Sequence, residues 1–131
     1  MCEGIFKKLA EKDYNIVVSS AGINAFNGVP ASEDAISALE EMNIDISNHT
    51  SKRLTVEDIE EADLIITMTS VHKMLILNAC PNAKDKVFTL CEYAKGEKGD
   101  ITDPYGMGED VYRKCAQELK SLLEVVLSKV K

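Results

Sequence analysis

Five consecutive residues, Leu64-Ile65-Ile66-Thr67-Met68, constrain this chain more than any other stretch. A strand with one wet face alternates apolar and polar side chains; this run does not, so both of its faces are expected to be covered. Such a strand belongs in a parallel sheet with helices on both sides. Two further runs can lie beside it. Ile16-Val17-Val18-Ser19-Ser20 is β-branched and ends at Ala21-Gly22, which reads as a buried strand running into a tight loop, and Lys86-Val87-Phe88-Thr89-Leu90 reads as a third strand.

Helical periodicity fills the intervals. Ile5, Phe6 and Leu9 predict a helix over residues 2–12 that starts with neither cap nor lead-in. Ser32 is the expected cap of a helix reaching Met42, with Glu33 and Asp34 in its first turn. A polar connection runs from Asn43 to Leu54, and Thr55, with Asp58 in the capping-box position, opens a short helix ending near Ala62. Thr69 or Ser70 caps the next helix, closed by Cys80-Pro81. From about Glu109 to the end, Tyr112, Cys115, Leu119, Leu122, Val126 and Val130 make the apolar stripe of a long helix expected to pack on the sheet.

Helices alternating with apolar strands specify an α/β fold with a parallel sheet, and 131 residues suffice for one domain, residues 1–131. In such folds ligands bind beyond the carboxyl ends of the strands. The loops there begin at Ser20-Ala21-Gly22, Thr67-Met68-Thr69 and Leu90-Cys91.

Composition narrows the partners. A net charge of −7 opposes non-specific attraction to nucleic acid or anionic membranes. No apolar run approaches the ~18 residues that span a bilayer. Cys2, Cys80, Cys91 and Cys115 show neither a CxxC pair nor zinc-site spacing, so no metal site is expected, and reduced thiols in a cytoplasmic protein are.

The stretch Gly99-Asp100-Ile101-Thr102-Asp103-Pro104-Tyr105-Gly106 is short, polar and bracketed by glycine. Pro104 restricts Asp103 to extended backbone, so Asp103 cannot continue a helix and is held at a loop edge. That presents an acid to a ligand, and it also makes an ordinary turn. The loop follows the third strand, which puts it on the ligand-binding rim.

Several segments together resemble one family, the low-molecular-weight phosphotyrosine and phosphoarginine protein phosphatases. They are Glu3 to Leu9, Val18-Ser19-Ser20-Ala21-Gly22, Ile46-Ser47-Asn48-His49, Glu61 to Met68, Asp85 to Leu90 and Asp103-Pro104-Tyr105-Gly106. The resemblance implies a flavodoxin-like three-layer α/β/α fold and a phosphorylated protein substrate. It also implies a two-step reaction without cofactor, in which a cysteine thiolate takes the phosphoryl group and an aspartate protonates the leaving group. By resemblance Asp103 is the general acid, Tyr105 the aromatic wall of the substrate pocket, and Ser20 and His49 the polar support behind the phosphate loop. The single aromatic between Pro104 and Gly106 looks more like the arginine branch.

The family's first strand and its Cys-x5-Arg loop have no counterpart here. Six positions after the four cysteines stand Lys8, Lys86, Glu97 and Ser121. The expectation is therefore an N-terminally shortened member, its nucleophile absent, inactive as written; the alternative is a non-catalytic binding module that keeps the fold. In the family the absent strand lies between those matching 16–20 and 64–68. Either those two pair directly or their free edges drive a homodimer.

Overall fold

A computed structural model describes residues 1–13, 15–23 and 26–130. The elements in order are α1 (Cys2–Leu9), α2 (Glu33–Glu40), α3 (Val56–Glu61), β1 (Ile65–Thr67), α4 (Ser70–Ala79), a 3-10 turn (Pro81–Ala83), β2 (Val87–Thr89), α5 (Leu90–Lys95) and α6 (Glu109–Val130). The strands β1 and β2 pair in parallel, Ile65 opposite Val87 and Thr67 opposite Thr89.

Local chemistry sets most boundaries. Ser32 caps α2 by accepting from Ala35 N–H, and Thr69 caps α4 by accepting from His72 N–H. Thr55 and Asp58 form the full capping box of α3. Such a cap is worth about 1 kcal/mol. Asn43 ends α2 in the left-handed region at φ 61, and Ile44 N–H returns to the Leu39 carbonyl. That turn sends Ile44 and Ile46 into the core and carries the polar connection back towards α1.

The main core gathers Ile5, Ala35, Leu39, Leu90, Tyr112, Leu119 and their neighbours; a smaller one holds Ile59, Ile76, Ala83 and Val87. Burial of Ile5, Leu39, Leu90 and Val87 is essentially complete, and each contributes roughly 1.5–3 kcal/mol. The long helix α6 packs most extensively on α1, α2 and α5, and Ile66 of β1 lies against the same core. Lys131, the expected end of that helix, lies outside the described residues.

Three expectations are corrected. Residues 16–20 are not a buried strand: they carry no ladder, and Val17 is 94% exposed. A strand is held by a neighbour's backbone, and the bridge this segment leads into lies beyond it, between Gly22 and Arg53. There Gly22 N–H donates to Lys52 O and Leu54 N–H to Gly22 O. Nor do residues 16–20 pair directly with 64–68; among the described residues the sheet has two strands. Finally, β2 passes straight into α5, a helix where a loop was expected. Thr89 and Glu92 form its capping box, and Gly96 at φ 71 ends it.

Candidate active site

The acid loop is fastened to the end of β1. Ile101 N–H donates to Met68 O at 2.8 Å, one residue past the strand, and Ile101 is buried. Asp100 Oδ1 accepts from Ser70 N–H, the first residue of α4, also at 2.8 Å. Beneath the loop, Cys115 of α6 directs its thiol at Thr102 O, 4.0 Å away. Pro104 is buried while Thr102, Asp103 and Tyr105 are exposed, Tyr105 at 75%. The Asp103 carboxylate accepts from Tyr105 N–H at 3.0 Å, an Asx turn closed by Gly106 at φ 75. An exposed acid and an exposed ring thus project side by side from an anchored backbone.

Ser20 and His49 meet elsewhere, on Glu3. Ser20 Oγ donates to Glu3 Oε1 at 3.1 Å, and His49 Nδ1 lies 3.1 Å from Glu3 Oε2. Lys7 adds a more exposed contact at 3.4 Å. The order is serine, carboxylate, histidine. A relay that activates a hydroxyl needs the base between the other two, so this trio orients side chains and does not make Ser20 a nucleophile.

Glu3 is the residue that sequence reasoning missed. It stands in the first turn of α1, where an acid has a sufficient local role at the helix N-terminus. Only the fold shows that it joins α1, the extended segment 15–21 and the 43–54 connection. A cavity of about 530 Å3 opens over the trio, lined also by Ser19, Asn48, Thr50 and Lys52. Asp103 and Tyr105 do not line it.

Two of the four thiols are held protonated by burial. Burial pushes Cys2 up to about 11, with Cys115 and Glu3 reinforcing it and the terminal ammonium opposing. Cys115 is raised as well, by burial first and then by Glu118 and Asp103. Cys91 is buried, and its sulfur packs against Gly99, where an added Cβ would stand 3.2 Å from Sγ. No group of three or more metal-ligating side chains is present among the described residues, and no helix there is long and apolar enough to cross a membrane.

The chain as a whole can be set beside known proteins. Residues 1–131 match the family described as low molecular weight phosphotyrosine protein phosphatase. The protein-arginine-phosphatase of Bacillus subtilis (strain 168) is 41% identical over 132 residues, covering 100% of this chain and 87% of its own. The solved structure of the YwlE arginine phosphatase with a phosphorylated active site serine has a TM-score of 0.93 at 39% identity, covering 98% of this chain and 85% of that one. The low molecular weight protein tyrosine phosphatase from T. tengcongensis has a TM-score of 0.92 at 40% identity, covering 98% and 88%. These structures share the flavodoxin-like α/β fold with its parallel sheet. Matched along its length by the family and by relatives that align with nearly all of it, the chain belongs to the low molecular weight phosphotyrosine protein phosphatase family.

Proposed function

We propose that this chain carries the acid side of a phosphoprotein phosphatase site. Asp103 protonates the leaving group, Tyr105 walls the substrate pocket, and Ser20 and His49, joined through Glu3, brace the ground behind the phosphate. The observation that carries the reading is the Asp103–Pro104–Tyr105 turn, exposed on a loop hydrogen-bonded to the end of β1. A departing phenolate or guanidine needs a proton at the moment the P–O or P–N bond breaks, and a fixed carboxyl on the strand-end rim can deliver it. Phosphoarginine is the favoured substrate, supported by the arginine phosphatase relative and by the single ring between Pro104 and Gly106.

Residues 1–131 by themselves turn over no phosphate ester. None of the four cysteines has an arginine six positions on, and both Cys2 and Cys115 are held protonated. A protein of this composition, with four free thiols, fits a reducing cytoplasm. The test is turnover of an aryl phosphate and of phosphoarginine and phosphotyrosine peptides. The 131-residue chain is assayed alone and again with the family's first strand and Cys-x5-Arg-Ser-Pro loop placed before Met1. Only the second should react, and Asp103→Asn in it should lower kcat by about 10²–10⁴. Turnover by the first would sink the proposal.

A second reading, a non-catalytic binding module, is favoured by one feature: Val17 and the outer edge of β1 are without strand partners among the described residues. Free edges of this kind recruit further chains, a second copy included. Sedimentation of the 131-residue chain tests the homodimer, which a strictly monomeric species at high concentration would overturn.

A further inference from the structure

We infer that Asp100 is the positioning residue of the acid loop, a role that rests on the reading of Asp103 as the general acid. Three neighbouring loop residues are each tied to a different element. The Asp100 carboxylate accepts from Ser70 N–H at 2.8 Å, Ile101 N–H donates to Met68 O at 2.8 Å, and Thr102 O faces the Cys115 thiol at 4.0 Å. Asp103 follows directly, and its own Asx turn fixes it only relative to Tyr105.

Of the three ties, the one to Ser70 is unlike the others. Ile101 is held by its backbone and by burial, and a thiol is a weak donor. The Asp100 contact pairs a full charge with an N–H in the first turn of a ten-residue helix, where amide hydrogens lack helical acceptors and the helix dipole favours an anion. Thr69 already satisfies His72 N–H, so α4 has its own cap, and Asp100 adds a link from the loop to the helix. Asp100 therefore sets where the backbone of residues 100–103 sits against the β1–α4 corner, and through it where the Asp103 carboxyl stands. Its side chain touches no reacting atom.

Because the N–H comes from the first residue of α4, the link can be cut from either side. Asp100→Ala removes the acceptor. Ser70→Pro removes the donor at a position that tolerates proline, and Thr69 before it is already extended at φ −130 and ψ 158. Asp100→Asn keeps an oxygen acceptor without the charge. The measurement is NMR relaxation of the full 131-residue chain, with the Ser70 amide proton shift followed through the carboxylate titration and urea midpoints taken alongside.

Order parameters at Thr102, Asp103 and Tyr105 should fall from about 0.85 to below about 0.6 in Asp100→Ala and in Ser70→Pro. The double variant should go no further, since both cut one bond. Asp100→Asn should keep the order while removing the pH-dependent Ser70 shift expected of the parent. Unchanged order at Asp103 in both cutting variants overturns the inference. So does loosening spread evenly over the β1–β2 amides with a lowered urea midpoint, which is what a merely structural residue gives. The readout needs no turnover. An Asp103 that proved not to be the acid would show itself in the kcat assay and leave these order parameters as they stand.

Discussion

Alkylation of Cys2 by iodoacetamide at pH 8 should run about a hundredfold slower than alkylation of a free cysteine in a peptide. Only the thiolate attacks, and Cys2 is pushed from 9.0 to about 11, chiefly by burial. Two pH units are a factor of one hundred in thiolate at any pH below the lower value. A cysteine at the first residue of a helix ordinarily gains thiolate character from the dipole, but that is worth about 0.3–1 kcal/mol. Desolvation here outweighs it, at about 3 kcal/mol for the shift. The sign for stability follows by linkage: the neutral thiol is the folded form, so its contribution is complete below about pH 9 and is lost as pH rises towards 11. Urea midpoints of the parent should therefore drop between pH 8 and 10.5 more than those of Cys2→Ala, Cys115 being common to both. Peptide mapping by mass spectrometry reads the first quantity and denaturation the second. Labelling of Cys2 at the rate of a free thiol would refute the reasoning and return it as a candidate nucleophile.

Two other perturbations test the groups around the site. Glu92 is held below the usual carboxylate range by Thr89 N–H first and by Lys73 second. Its contribution is present above the unfolded carboxylate value near 4.3 and is lost as pH falls through the folded one. Glu92→Gln should thus cost ~0.5–1 kcal/mol at pH 7, allowing for a part-exposed side chain. The cost should shrink as pH falls into the acid range, and a gap in urea midpoints that does not narrow on acidification contradicts the account. At the trio, Glu3→Gln should show a coupling of about 0.5–1 kcal/mol with Ser20→Ala and separately with His49→Ala in double-mutant cycles. Couplings of zero in both cycles would mean that Glu3 does not join them.

The fold was legible where local signals and packing agree. Ser32, Thr55 and Thr69 cap the helices they were expected to cap, and Asp58 completes the box. The helix α5 was missed although Thr89, Glu92 and Gly96 mark its ends, because its leading apolar residues Leu90 and Cys91 continue the strand pattern without a break. Residues 16–20 mislead for the opposite reason: β-branched composition describes fitness for a sheet, and whether a neighbour is there to pair is not a local property. Of the site, Asp103 was visible because Pro104 writes its backbone into the sequence. Asp100 and Glu3 were not, since each works through a partner 30 or 17 positions away.

The two halves of the candidate site rest on different supports. Asp103 depends on the β1–α4 corner and on α6, through Ser70, Met68 and Cys115, and among the described residues no hydrogen bond of that loop reaches the segment 15–21. Ser20 depends on that segment and, among the described residues, its one side-chain hydrogen bond is to the Glu3 carboxylate, with the Gly22 bridge close behind it. An exposed hydrogen bond of that sort is worth about 1 kcal/mol, little against the 1–2 kcal/mol that ordering each backbone residue costs. The Asp103 loop is therefore set by the packed part of the fold, whereas the segment carrying Ser20 gains little order from its one side-chain bond.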